Sequence, residues 1–394
     1  MNKTRIAFIG GRGFKSSYGG VENAIREIVL EMTKIADLPN NHIELAVCGV
    51  TDPKHEGNHA APSNVRLLGC PLWIYQKFGQ HGLTLFGVVR LIFGYRPKVA
   101  IVFASGPCLF IPILRLFGIK VVSSLRAVDS HRDKWGKVSR TILKIGEYCA
   151  WRFAHVFTVN SKDMFNQFRH YRSDVIFLPN GARKATKGSY QYVMNMLFDS
   201  PLQKERYFLF AARLDPVKRL HLLLQAHAQL KEEERLPLVV AGGHSKSSEY
   251  QDHLLQYADS KVLFVGHIGE NLLAPLMRHC RAFILPSVLE GMSNSLLSAM
   301  ASERAVIASN IPANRDVLNC DDATYEADNL NQLKHKLKQL AQNESFAKIL
   351  GLRLAKQAEQ HHCWARTSQL LFAQITPYLN LSSNLKGHPT YETD

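Results

Sequence analysis

Nowhere in the 394 residues does a run of about 18 uninterrupted apolar side chains occur, so no spanning helix is expected. The opening residues, MNKTRIAFIGGRG, hold no long apolar segment with a small-residue cleavage site, so a secretory leader is not expected. The seven cysteines are odd in number, scattered, and never spaced as CxxC. That argues against a zinc site and against a disulfide framework, and it fits buried apolar thiols in a reduced, cytoplasmic compartment. GGRGFKSSYGG, residues 10–20, does not make GxGxxG with a suitably spaced acidic residue, which disfavours a dinucleotide-dependent dehydrogenase. No recognition motif or interleaved aromatic platform marks a nucleic-acid binder, although the pI is near 9.5. No paired carboxylates suggest glycosidase-type hydrolysis.

Negative charge is scarce in one half only. The net formal charge is +15, and residues 1–200 hold 27 Lys and Arg against 13 Asp and Glu, whereas residues 201–394 hold 21 against 20. A basic half points to a polyanion or an anionic membrane surface, the plainer reading being a soluble basic face. The segment LTLFGVVRLIFGYRPK, residues 83–98, is apolar with cations at Arg90, Arg96 and Lys98. It is read either as a helix at a membrane interface or as a core helix.

The length asks for two domains. Arg5–Ile9 reads as a strand, Gly10–Gly13 as a glycine-rich turn, and Val21, Ala24, Ile25, Ile28, Val29 and Met32 as the buried face of a helix. Further strands are expected at Glu44–Cys48, Val99–Phe103, Lys120–Ser123, Val156–Val159 and Val175–Leu178. A second set follows at Tyr207–Ala211, Leu238–Ala241, Val262–Val265, Ala282–Leu285 and Ala305–Ala308. Strands alternating with helices imply parallel sheets, so the fold class is α/β with two doubly wound halves. The first domain is expected over 1–185 with a returning C-terminal helix near 365–380, the second over 186–364, and a polar tail over 381–394.

AFILPSVLEGMSNSLLSAMASERAVIASN, residues 282–310, places a carboxylate, Glu290, and the small residues Gly291 to Ser295 where a strand ends and a helix begins. Ligands of doubly wound folds bind outside such strand ends, and helix N-termini suit phosphate. Amides for an anion beside a carboxylate for hydroxyls suggest a sugar phosphate. The alternative is an ordinary helix start capped by Ser293 or Asn294.

Taken with SYGGVENAIREI (17–28), FLPNGA (177–182), FAARLDPVKRLHLLLQAHAQL (210–230), LVVAGG (238–243) and VLFVGHIGENLLAPLMRHCRAFILPSVLEGMSNSLLSAMA (262–301), the chain resembles the family-4 glycosyltransferases. HRDKWGKVSRTILKIGEYCAWRFAHVFTVNSKDM, residues 131–164, resembles rhamnosyltransferase-like enzymes of bacterial surface polysaccharide synthesis, of lipopolysaccharide or capsule type. The resemblance implies the GT-B fold, two Rossmann-like domains facing a central cleft. It also implies a retaining hexosyl- or rhamnosyltransferase that is metal-independent and has no cofactor beyond a nucleotide-sugar co-substrate. A saccharide or lipid-linked saccharide acceptor is implied, at the inner face of the cytoplasmic membrane.

By the same resemblance Arg213 and Lys218 face the donor diphosphate, two fixed cations doing the work of a metal. Glu290 contacts the donor sugar. The amides of Gly291, Met292, Ser293, Asn294 and Ser295 hold sugar and phosphate, His267 and Ile268 meet the base, and Gly19 and Gly20 close over the donor. The family pattern is broken twice. Ser298 stands where a second Glu contacts ribose, and Arg126 stands where many members carry His, with Asp129 and His131 close behind on the acceptor side. Two other readings accompany these departures: a non-catalytic nucleotide-sugar-binding partner protein, and a nucleotide-sugar epimerase of the same fold.

Overall fold

The computed structural model describes residues 3–14, 19–36, 43–51, 61–131, 136–243 and 248–379. The polar tail expected over 381–394 lies outside them, as do Ser17 and Tyr18 ahead of the glycine pair. The chain forms two compact units. One runs to Asn160, takes in Met164–Leu178 and returns from Ala365; the other comprises Ser161–Asp163 and Pro179–Trp364.

In the first unit the elements are β1 (Thr4–Ile9), α1 (Gly20–Ala36), β2 (Ile43–Thr51), β3 (Val65–Pro71), α2 (Leu72–Arg90) with a π-helical turn at Leu91–Tyr95, β4 (Val99–Phe103), α3 (Ser105–Cys108), α4 (Ile111–Leu116), β5 (Lys120–Leu125), α5 (Lys137–Phe153), β6 (Val156–Val159), α6 (Lys162–Phe168) and β7 (Ile176–Phe177). All pairings in its seven-stranded sheet are parallel, in the order β3-β2-β1-β4-β5-β6-β7. The central strands are continuous apolar runs, as strands covered on both faces must be. Ala7 pairs with Ala46 on one side and with Ala100 on the other, and all three are fully buried.

The second unit continues with α7 (Tyr190–Leu197), β8 (Phe208–Ala211), α8 (Leu220–Ala228), β9 (Leu238–Ala241), α9 (Ser248–Leu255), β10 (Val262–Gly266), α10 (Glu270–His279), β11 (Ala282–Leu285), α11 (Asn294–Ala301), β12 (Ala305–Ser309), α12 (Pro312–Leu318), β13 (Thr324–Tyr325), α13 (Leu330–Gln342) and α14 (Glu344–His361). Its sheet runs β10-β9-β8-β11-β12-β13, again parallel. A last helix, α15, spans Trp364–Ile375. Beyond it the Leu379 carbonyl accepts a hydrogen bond from Thr4 Oγ1 in the first unit, at 3.5 Å.

The structure corrects the expected boundary. Pro179–Ala185, placed in the first domain from sequence, belong to the second unit. Ala182 bridges to Cys363, and a Cβ on Gly181 would lie 2.3 Å from Trp364 N, so this segment is packed against the end of α14. Just after this segment comes α7, whose Val193 and Met194 are fully buried.

Candidate functional site

In each sheet the chain changes direction across the strand order at one place. In the second unit β8 leads outward to β9 and β10, while β11 leads the other way to β12 and β13, so the switch point lies between β8 and β11. The loops leaving the carboxyl ends of those two strands carry the residues singled out above.

After β8 the chain passes through Arg213 and enters a 3-10 turn, Pro216–Lys218, with Pro216 setting φ at its start. Asp215 N donates to Arg213 O at 2.8 Å, and Lys218 N donates to Asp215 O at 2.8 Å. After β11 the chain runs through Ser287 to Glu290. A backbone hydrogen bond, Val288 N to Val217 O at 2.9 Å, fastens the two loops together. It brings Lys218 Nζ to 2.5 Å from Glu290 Oε1, with the two side chains 14% and 10% exposed. Charges this little exposed are held in pairs, because each alone would lose much of its hydration. The Arg213 guanidinium is different. It is exposed and makes no hydrogen bond or ion pair among the described residues.

Between Glu290 and α11 the loop is fixed from below. Ser293 is the N-cap of α11, its Oγ accepting from Leu296 N at 3.4 Å, so of the two candidate caps the serine serves and Asn294 is the first helical residue. Asn180 is 3% exposed. Its Nδ2 donates to Met292 O at 3.0 Å and to Asn294 Oδ1 at 2.9 Å, and its N–H meets Met292 Sδ at 3.1 Å. The Met292 side chain and carbonyl are thereby both engaged by Asn180, leaving the backbone N–H as the part available to a ligand. Gly291, Ser295 and Ser298 are partly exposed along the same loop and first turn. First-turn N–H groups of a helix have no intrahelical acceptor, and the positive end of the helix dipole lies there.

His267 and Ile268 follow β10, reached through Gly266 at φ 67°, and His267 is exposed. Gly243, after β9, lies so close that a Cβ there would meet His267 Cβ at 3.2 Å. Gly242 is more constrained, since a Cβ would sit 2.2 Å from Ala212 O. The loop after β9 therefore packs closely on those after β8 and β10, Gly242 N also donating to Gly266 O at 2.9 Å.

In the first unit the switch point lies between β1 and β4. Gly10 follows β1 at φ 126°, and a Cβ on it would lie 2.2 Å from Phe103 O, so only glycine lets the turn pass over β4. Glu22 Oε1 accepts from Arg12 N at 3.2 Å, tying that turn to α1. Gly19 and Gly20 stand at the start of α1, Gly19 O accepting from Asn23 N at 3.1 Å.

Of the residues expected on the acceptor side, Arg126 is buried rather than presented to solvent. Its guanidinium lies over the Phe103 ring at 5.3 Å, Nη1 donates to Leu178 O at 3.4 Å, and burial pulls its pKa down to about 9. Asp129 lies in the 3-10 turn Asp129–His131; of His131 only the backbone is described. Glu147 from α5 holds that turn, accepting from Ser130 N at 3.1 Å, Ser130 Oγ at 2.7 Å and Ser105 Oγ at 3.0 Å. Glu147 and Asn180 are the residues sequence reasoning missed. FLPNGA carries Asn180, but a lone polar residue in a loop declares its role only through its burial.

Comparison with known proteins follows the same division. The family model described as "Glycosyl transferases group 1" matches residues 205–343, which lie in the second unit. The serotype-specific mannosyltransferase WbdA of Escherichia coli is 25% identical over 186 residues, 45% of this chain and 22% of that protein. An N-acetylgalactosamine-N,N'-diacetylbacillosaminyl-diphospho-undecaprenol 4-alpha-N-acetylgalactosaminyltransferase of Campylobacter jejuni is 31% identical over 153 residues, 37% of this chain and 40% of that protein. The chain thus spans less than half the length of these relatives. Among solved structures, sucrose-phosphate synthase from Thermosynechococcus elongatus superposes with a TM-score of 0.75 at 17% identity, over 97% of this chain and 100% of that one. HepE of Anabaena, in complex with UDP and glucose, gives 0.74 at 14% identity over 95% and 100%. The fold is GT-B, as the sequence implied.

Proposed function

We propose, from the premise that residues 205–343 form a glycosyl transferases group 1 domain, that the chain is a retaining glycosyltransferase. It moves a sugar from a nucleotide-sugar donor to a saccharide or lipid-linked saccharide acceptor in cell-surface polysaccharide synthesis. The observation that carries the reading is the placement of Arg213, Lys218 and Glu290 on the two loops that flank the switch point of the second sheet. A nucleoside diphosphate entering there meets the exposed Arg213 guanidinium and the Lys218 ammonium. Glu290 accepts hydrogen bonds from sugar hydroxyls, and the amides of Gly291 to Ser295 face the phosphate or sugar oxygens.

In the reaction the anomeric carbon loses its bond to the diphosphate oxygen and gains one to the acceptor oxygen on the same face. The acceptor proton passes to the departing diphosphate. Arg213 and Lys218 stabilise the negative charge that accumulates there, without a metal ion, in a site where fixed cations need no reorganisation. His267 and Ile268 border the base, Gly19 and Gly20 the donor, and the first unit takes the acceptor, with Arg126, Asp129 and His131 on that side. We place the enzyme at the inner face of the cytoplasmic membrane, where lipid-linked acceptors are presented.

The test is a transfer assay with UDP-, GDP- and dTDP-sugars and lipid-linked saccharide acceptors, reading the product anomer by NMR. One donor class should give a product with the donor's anomeric configuration. Arg213→Ala and Lys218→Ala should each lose most turnover, and full activity in both variants would overturn the assignment.

A further inference from the structure

We propose that the outward face of the helices covering one side of the first sheet is a docking surface for an anionic lipid bilayer. The inference rests on that surface alone and does not require glycosyl transfer.

The connections β3 to β4, β4 to β5 and β5 to β6 all cross the sheet in one direction. Right-handed crossovers therefore put α2 with its π-helical turn, α3 with α4, and α5 on the same side. Their inner residues confirm this. Val88, Leu91, Leu114 and Ala150 share one core with Ala7, Ala100 and Val121. The outer face of such a layer is ordinarily polar.

Here it is not. Leu85, Val89 and Phe93 recur at four-residue intervals and are exposed, Phe93 at 66%. The Phe93 ring meets that of Phe117 edge-on, centroids 5.7 Å apart, which joins the stripe to the end of α4. Leu116, beside Phe117, is 83% exposed. Arg115 Nη1 donates to Phe153 O at 2.6 Å and ties α4 to α5, along which Val138, Ile145 and Tyr148 are also exposed. Exposed apolar side chains on three elements of one layer, two of them joined by the Phe93–Phe117 contact, mark a surface meant to be covered.

Charge identifies what covers it. From residue 57 to residue 128, 72 positions, there is no Asp or Glu, while Lys and Arg number eight. Exposed Arg90 and Arg115 stand among the apolar residues, and Lys144 and Arg152 are exposed on α5. The partner must accept apolar side chains and supply negative charge. The boundary between headgroups and acyl chains of an anionic bilayer does both. A second copy of this face would set cation against cation.

The experiment is co-sedimentation of the full chain with vesicles of phosphatidylcholine alone and of phosphatidylcholine with phosphatidylglycerol, at low and at physiological salt. Binding should require phosphatidylglycerol and weaken with salt. Phe93→Ser with Leu116→Ser, and separately Arg90→Glu with Arg115→Glu, should each weaken it by at least about tenfold. Arg353→Glu, in the second unit, should leave it unchanged. Melting temperatures show that the variants are folded, and unchanged nucleotide binding in them separates this result from the transferase question. Absence of vesicle binding, equal binding to phosphatidylcholine alone, or wild-type binding in both folded double variants would overturn the proposal. So would a dimer abolished by Phe93→Ser in a chain that ignores vesicles, which would assign the face to a second copy.

Discussion

Lys218 Nζ lies 2.5 Å from Glu290 Oε1, and the pair is built by two loops that a single backbone hydrogen bond, Val288 N to Val217 O, fastens at the switch point of the second sheet. In the free protein the ammonium proposed to meet a diphosphate is thus already held by the carboxylate proposed to meet a sugar. The contact orders both side chains before a donor arrives, and that lowers the entropy cost of binding.

The pair is nearly buried, so removing one partner strands the other. Lys218→Met and Glu290→Gln should each destabilise the protein by about 1–3 kcal/mol. The double variant should lose less than the sum of the two. Urea denaturation of all four species measures the coupling, and strictly additive losses would show that the contact does not form in solution.

Asn180 supports the loop that follows Glu290. Asn180→Ala removes two donors to Met292 O and Asn294 Oδ1 at a buried position and should cost about 1–3 kcal/mol. It should also weaken nucleotide-sugar binding, because the amides of residues 291–295 lose their fixed position. A melting curve and a binding isotherm on the same sample check both effects. A stability loss with unchanged affinity would mean that the loop is held by other contacts.

Two buried imidazoles make the protein sensitive to mild acid. Burial lowers His227 and His362 from 6.5 to about 4, and each has a fitting neutral form. His227 Nε2 donates to Leu236 O at 2.7 Å while Nδ1 accepts from Arg235 Nε at 3.2 Å; His362 Nδ1 lies 3.2 Å from Asn180 O. The unfolded chain takes up these protons near pH 6.5, well above the native pKa, so the unfolded state binds more protons between pH 6.5 and 4. Stability from these groups is complete above pH 6.5 and is lost as pH falls towards 4. The unfolding free energy from urea denaturation should drop from pH 7.5 to pH 5 by on the order of 1–2 kcal/mol per histidine. His227→Gln should flatten that slope; an unchanged slope would place the sensitivity elsewhere.

Much of this was legible in the sequence because buried parallel strands are continuous apolar runs. Segments such as AFIL, Ala282–Leu285, and VAIVF, Val99–Phe103, announce themselves, and both sheets follow from their alternation with helices. Val65–Pro71 escaped because an edge strand needs no such run: Arg66 and Leu67 face solvent, and Gly69 and Pro71 interrupt the pattern. Thr324–Tyr325 is too short to show any period. In LTLFGVVRLIF, apolar residues surround the helix, so periodicity could not tell the buried Val88 and Leu91 from the exposed Val89 and Phe93. The core-helix reading holds for one side of that segment, and its other side is exposed. Lys218 and Glu290, 72 positions apart, were linked in sequence only by resemblance, and the fold brings them into contact.

The most direct test is calorimetry of UDP, GDP and dTDP, and of their sugars, against the wild-type protein and Arg213→Ala. The Arg213 guanidinium is exposed and makes no hydrogen bond or ion pair among the described residues, so its loss should change the stability by no more than about 0.5 kcal/mol. It should nevertheless cut the affinity for one nucleotide class at least about tenfold, since a charge-assisted bond to phosphate contributes roughly 1.5–3 kcal/mol. Saturable binding of one class, lost in the folded variant, is the result expected of a nucleotide-sugar site at the switch point. No binding of any nucleotide, or binding that Arg213→Ala leaves intact, would contradict it.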